Sequence, residues 1–259
     1  MPNTLRVALI QTELFWEDPE KNRNQFEQNI LAISEAVDLI LLPEMFTSGF
    51  TMNAEAVAET MGSETVEWMR ALAKKKNASI TGSIVIKEAK NFFNRLLFVF
   101  PNGQIEYYDK KHTFTLAGEH KVYTAGKTRN LIEFRGWKIL PLICYDLRFP
   151  VWARNTMDYD VLLYVANWPS KRISAWDALL KARAIENMSY CIGVNRIGKD
   201  GNGHDYSGHS RAYNVLGERL DRTPKETPAV EMVTLEKAAI ETYRNKLGFL
   251  KDRDEFILK

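Results

Sequence analysis

The feature that most restricts this chain is an alternation: short runs rich in Val, Ile, Phe and Tyr are separated by longer stretches whose apolar residues recur at helical spacing. A strand must bury at least one face and an amphipathic helix one stripe, so the alternation resolves into helices layered on sheets, an α/β domain. Strands are expected over residues 6–12, 38–44, 78–87, 95–100, 105–110, 138–144, 161–167 and 190–197. Several of these runs are apolar at nearly every position, which calls for cover on both faces.

Asp18 before Pro19 reads as a helix cap and first turn, after which Phe26, Ile30, Ile33 and Val37 share one face. A second helix is expected from Ser63, with Val66, Met69 and Leu72 inward, and a third from Ser174 to Asn187. Residues 101–104, PNGQ, join two strands as a tight turn. Residues 210–220 and 229–236 read as further strands, and residues 237–248 as a helix closed by Gly248. The segment 198–210, GKDGNGHDYSGHS, is the one long irregular stretch, of a size that often borders a pocket. No repeat or Gly/Ser/Pro-rich linker interrupts the chain, so a single domain over residues 1–259 is expected.

Charge narrows the class of partner. The 35 Lys and Arg nearly balance the 33 Asp and Glu, a formal net charge of +2, so no global field favours nucleic acid or an anionic membrane surface. No segment approaches the roughly 20 apolar residues needed to cross a bilayer. Cys144 and Cys191 are too few for a disulfide framework, and the first residues lack a signal-type pattern, so a cytoplasmic protein with reduced thiols is expected. Small-molecule chemistry fits this balance best.

Three strand ends carry residues suited to that chemistry. The run LPLI stops at Cys144, followed by the polar turn YDLR. Taken alone, Cys144 reads as a small buried hydrophobe; a reactive thiol needs a partner that makes or stabilises the thiolate. None of His112, His120, His204 and His209 lies at a recognisable strand end with a carboxylate behind it. Glu44 does end the run LILLP, among Pro43, Met45 and Phe46, where desolvation would suit it to general-base work. Lys110 ends IEYYDK, and an ammonium held near a carbonyl oxygen stabilises a tetrahedral oxyanion. His204 and His209 lack the helical spacing and intervening glutamate of a zincin, and no metal or organic cofactor is called for.

The segments LLPEMF, YDKKH and CYDLRFP, in that order and followed by ANWP, resemble the signature segments of the nitrilase (carbon–nitrogen hydrolase) superfamily. The likeness runs from ALIQTELFW to RAYNVLGE. It implies a four-layer αββα sandwich, a pairing of chains into a homodimer through the surface near the nucleophile, and a Glu–Lys–Cys triad that hydrolyses amides or nitriles. Residue by residue it implies Glu44 as general base, Lys110 as the triad lysine, Cys144 as nucleophile and Glu119 as a second acid beside them. Lys111 makes the lysine assignment ambiguous, and Lys110 is preferred because one residue then separates it from His112.

LPEMFTSGF, CYDLRFPVWARN and LYVANWP further resemble the bacterial omega-amidase branch, which acts on the terminal amide of 2-oxo acid monoamides such as 2-oxoglutaramate and 2-oxosuccinamate. The oxyanion contact would then come from Lys110 and the Tyr145 N–H, with Tyr145, Phe46 and Trp168 walling the pocket and Arg172 meeting a substrate carboxylate. Asp146 and Arg148 are expected to fix the turn after Cys144 by pairing with local backbone or each other, and Cys191 to be structural. Another amidase of the superfamily, acting on N-carbamoyl or aliphatic amides, and an idle binding member remain as alternatives.

Overall fold

A computed structural model describes residues 3–258; residues 1, 2 and 259 of the expected domain lie outside them. The chain runs β1 (Thr4–Gln11), α1 (Pro19–Ala32), β2 (Leu39–Leu41), α2 (Ala54–Val57), α3 (Glu64–Lys76), β3 (Ser79–Glu88), β4 (Asn91–Val99) and β5 (Ile105–Asp109). It continues through β6 (Ile132–Phe134), β7 (Trp137–Ile143), α4 (Pro150–Ala153), β8 (Val161–Ala166), α5 (Ile173–Asn187) and β9 (Tyr190–Asn195). The last elements are β10 (Ile197–Lys199), β11 (Asp205–Ser207), β12 (Arg211–Tyr213), β13 (Ala229–Glu236) and α6 (Lys237–Leu247).

Two large sheets form among the described residues, in the orders β13-β1-β2-β3-β4-β5 and β12-β9-β8-β7-β6, beside a small pair of β10 and β11. Strand periodicity explains how they stack. Leu5, Val7 and Leu9 of β1 join the core shared with the second sheet, whereas Ala8 and Ile10 join Phe26 and Ile30 of α1 and Val66 and Met69 of α3. Phe98 of β4 meets Phe134 of β6 edge to face at 5.8 Å, one contact that ties sheet to sheet. On the far side, Trp176 and Leu180 of α5 cover β9, and they lie so close that a Cβ at Gly193 would stand 2.6 Å from the Trp176 ring. The result is the expected αββα sandwich.

The direction of the strands assembles the site. β1, β2 and β3 run parallel, and β5 is parallel to β3 because both are antiparallel to β4. β7, β8 and β9 likewise run parallel. The carboxyl ends of β2, β5, β7 and β8 therefore release Glu44, Lys110, Cys144 and Asn167, the side of a parallel sheet where ligands are usually bound.

Some expected boundaries move. The strand expected over 38–44 is regular only over Leu39–Leu41, because Pro43 has no N–H to continue the ladder. Residues 198–210 are only partly irregular: β10 and β11 pair as a two-stranded antiparallel ribbon across a Gly-rich turn. The strand expected over 210–220 is β12 followed by a turn that brings Arg219 back opposite Tyr213.

Candidate active site

Glu44 is positioned by a turn that no regular strand would make. Met45 adopts a left-handed φ of 42°, with its N–H donating to Ser83 Oγ, and Phe46 N–H bonds to Ser83 O. This turn packs directly on β3: a Cβ at Gly82 would lie 2.8 Å from Leu42 and 2.9 Å from the Phe46 ring. Cys144 also leaves its strand through a left-handed residue, its own φ being 43°. Such a conformation costs a non-glycine residue roughly 1–3 kcal/mol and persists only where the surroundings impose it.

Those surroundings centre on Asp146, which is fully buried. Its Oδ2 accepts from Ile143 N–H at 3.0 Å and Tyr108 O–H at 2.8 Å. Its Oδ1 accepts from His112 N–H at 2.9 Å and lies 2.7 Å from His112 Nδ1. One carboxylate thus ties the turn that carries Cys144 to the segment that carries Lys110.

Lys110 is buried between two acids. Its ammonium is 2.8 Å from Glu44 Oε1 and 3.0 and 2.9 Å from the two oxygens of Glu119. Burial alone pulls a lysine down, but Glu119 and Glu44 more than reverse this and hold Lys110 above its ordinary value, charged at any assay pH. Burial pushes the Glu119 carboxyl up, against the pull of Lys110. Glu44 Oε1 also accepts from Asn94 Nδ2 at 2.8 Å, and Oε2 accepts from the Asn167 N–H at 2.8 Å. The Cys144 thiol is pushed well above its ordinary value by burial and next by Glu44, so its resting form is the neutral thiol.

The Cys144 and Lys110 side chains close the floor of a cavity of about 620 Å³. Of the sequence-expected wall residues, Tyr145 and Trp168 line it, as does Arg172, whose guanidinium stacks 5.2 Å over the Phe114 ring. Phe46 does not. The turn at Met45 returns it to the core, fully buried against Phe26 at 5.5 Å and Trp68 at 5.9 Å, and Phe50 lines the cavity instead. Arg148 also departs from expectation. It pairs neither with Asp146 nor with backbone but lines the cavity, stacked 4.8 Å over Trp168. Lys111 points away, its ammonium 5.4 Å over Trp152.

Two residues of the site were missed by sequence reasoning. Asn94 was visible as a lone amide inside the apolar run FFNRLLFVF, and Asn167 ends β8 as Cys144 ends β7. Cys191 is fully buried inside β9, and burial pushes its thiol up. His209 pairs with Asp177 at 2.7 Å, while His204 faces the cavity. Among the described residues no group of three His, Cys, Asp or Glu is placed to hold a metal, and no helix is long and apolar enough to cross a membrane.

The sequence matches the carbon–nitrogen hydrolase family over residues 6–245. The chain belongs to that family. Among curated members it is 46% identical to the omega-amidase YafV of Escherichia coli, over 98% of each chain. It is 32% identical to the 2-oxoglutaramate amidase of Bacillus subtilis, over 85% of this chain and 86% of that one. A solved carbon–nitrogen hydrolase superfamily protein from Xanthomonas campestris, with an arsenic adduct in its active site, superposes with a TM-score of 0.96 and 41% identity over the whole of both chains. Like its family, this hydrolase acts on carbon–nitrogen bonds other than peptide bonds.

Proposed function

We propose that the protein is an omega-amidase, releasing ammonia from the terminal amide of 2-oxo dicarboxylic acid monoamides such as 2-oxoglutaramate. The observation that carries this reading is Lys110 held between Glu44 and Glu119 beside Cys144, in a cavity also lined by Arg148 and Arg172. The curated relatives of the preceding section supply the substrate class.

The chemistry runs in two halves. Glu44 takes the proton of Cys144 as the thiolate forms a C–S bond to the amide carbon, and the carbonyl electrons move onto oxygen, held by Lys110 and the Tyr145 N–H. Glu44 then gives that proton to the departing nitrogen as the C–N bond breaks, leaving ammonia and a thioester. Water, deprotonated by Glu44 with Glu119 beside it, attacks the thioester and restores the thiol with release of the acid. Arg172 meets the free carboxylate with its planar fork. The scheme is complete with the residues of one domain over 1–259. The same reading places the enzyme in the cytoplasm, where both thiols stay reduced, and as a homodimer through the face beside the nucleophile, where Val151 and Ile185 are exposed.

The test is ammonia release from 2-oxoglutaramate by the wild type beside Cys144→Ala, with glutamine and a simple nitrile as controls. Turnover of the oxo amide that is lost in the variant is expected. Activity that survives in Cys144→Ala removes the thiol mechanism, and a preference for an N-carbamoyl or aliphatic amide moves the enzyme to another branch.

A further inference from the structure

The cavity holds charges of both signs, but only one sign is left without a protein partner. Glu17 accepts from Thr51 Oγ1 at 2.5 Å and Asn53 Nδ2 at 3.0 Å. Asp200 accepts from the N–H groups of Asn202 and His204, both at 2.9 Å, and from Tyr206 O–H at 2.8 Å. Lys110 is occupied by two carboxylates. Arg148 and Arg172 differ from all of these. Both are half-buried in the cavity wall, and neither guanidinium donates a hydrogen bond within the described residues.

That is unusual in this molecule. Apart from the exposed Arg222, every other arginine, from Arg6 on Asp38 to Arg253 on Asp158, donates to a carboxylate, carbonyl or hydroxyl. Each guanidinium lies over an aromatic ring, Arg148 over Trp168 and Arg172 over Phe114, and its N–H groups have no acceptor among the described residues. Two open forks in one cavity select a ligand end that is anionic and rich in acceptors. A 2-oxo acid presents three such oxygens, whereas the corresponding amino acid places an ammonium at the same carbon.

We propose that Arg148 is a specificity-determining residue: with Arg172 on the carboxylate, the Arg148 guanidinium donates to the 2-oxo oxygen, so that 2-oxo acid amides are taken and amino acid amides are refused. This rests on the omega-amidase reading and deepens it. The assignment between the two arginines follows from the chain. Arg148 ends the turn that begins at Cys144, whereas Arg172 approaches from the segment after β8, and the oxo carbon of the substrate lies between its carboxylate and its amide. An ammonium there would face the guanidinium and lose its water with no acceptor in return.

The experiment compares kcat/KM for 2-oxoglutaramate, glutaramate and glutamine in the wild type, Arg148→Met and Arg148→Lys. Glutaramate has the same length and carboxylate but a methylene in place of the oxo carbon. Arg148→Met should lower kcat/KM on 2-oxoglutaramate by roughly 10- to 100-fold, the size of one lost charge-assisted hydrogen bond, with a much smaller loss on glutaramate. Its side chain has no hydrogen-bonded protein partner to strand, so the variant should fold, checked by its melting temperature. Arg148→Lys keeps the charge and should still refuse glutamine. An equal loss on 2-oxoglutaramate and glutaramate would overturn the role of Arg148 and leave the omega-amidase reading standing. A wild type that prefers glutamine or glutaramate would remove that reading itself, and this inference with it.

Discussion

Asn94 donates a 2.8 Å hydrogen bond to Glu44 Oε1, the same oxygen that holds the Lys110 ammonium. Two donors thus saturate Oε1, while Oε2 has the Asn167 N–H alone and keeps a lone pair for the thiol proton. In the proposed scheme Asn94 therefore decides which oxygen of Glu44 works as the base. Asn94→Ala should lower kcat by about tenfold with little change in KM, as expected for one lost hydrogen bond to a charged group. Asn94→Asp should do worse, since it replaces the donor to Oε1 with a third buried acid beside Glu44 and Glu119. The check is kcat and KM for both folded variants beside the wild type, and a wild-type kcat in Asn94→Ala would remove Asn94 from the reaction.

Lys110 and Lys111 are neighbours in sequence with opposite fates, one buried on two carboxylates and the other stacked over Trp152. Lys110→Ala leaves Glu44 and Glu119 without their cation and, in the proposed scheme, takes away the oxyanion contact. Turnover should fall roughly 10²-fold or more, and stability by about 3 kcal/mol, the usual cost of breaking a buried pair. Lys111→Ala should retain near-normal turnover. Steady-state rates and urea midpoints for the two variants separate the roles, and a folded, active Lys110→Ala would remove the lysine from the chemistry.

The pKa of the nucleophile gives a third test. Burial and Glu44 both favour the neutral thiol of Cys144, so its folded pKa lies above that of an unfolded cysteine. A raised pKa means that the thiol is stable in the folded state below the ordinary thiol value, and that stability is lost as pH rises above it. Thiolate absorbance near 240 nm, taken as the difference between wild type and Cys144→Ala, should therefore be absent at neutral pH. It should appear only above about pH 9. A thiolate signal at pH 7 would mean that the resting enzyme already holds the ion, and that Glu44 has no proton to take in the first step.

How much of this was legible in the sequence depends on how local the cause is. Glu44 and Cys144 were legible because each stops an apolar run, and Lys110 because it closes the strand candidate IEYYDK in a segment, YDKKH, that resembles the family's. Phe46 was misplaced for a reason no pattern shows: the left-handed turn at Met45 reverses the side to which the next residue points. Arg148 was misread because its expected partner, Asp146, is claimed by Tyr108 and His112, residues more than 30 positions away. Asn94 meets Glu44 across 50 positions, a contact that the pairings of β2 with β3 and β3 with β4 together create. The ribbon of β10 and β11 has few apolar residues, so its register comes from the turn rather than from a hydrophobic pattern.

Asp146 offers the sharpest test of how the triad is held, because it touches none of the reacting atoms. Its two oxygens meet four groups: the Ile143 N–H beside Cys144, the His112 N–H and Nδ1 just after Lys110, and the Tyr108 hydroxyl on the strand before Lys110. In Asp146→Asn one oxygen becomes an NH₂ group that must face existing donors, so at least one backbone or hydroxyl donor loses its acceptor. A loss of about 3 kcal/mol is expected, which for a chain of this size lowers the melting temperature by roughly 6 °C. Turnover should fall further than stability explains, since the left-handed Cys144 is no longer held against the lysine segment, and the loss should lie in kcat rather than KM. The discriminating measurement is alkylation of Cys144 by iodoacetamide in folded Asp146→Asn at a temperature well below its transition. A wild-type alkylation rate together with wild-type kcat would show that the turn keeps its shape without the carboxylate.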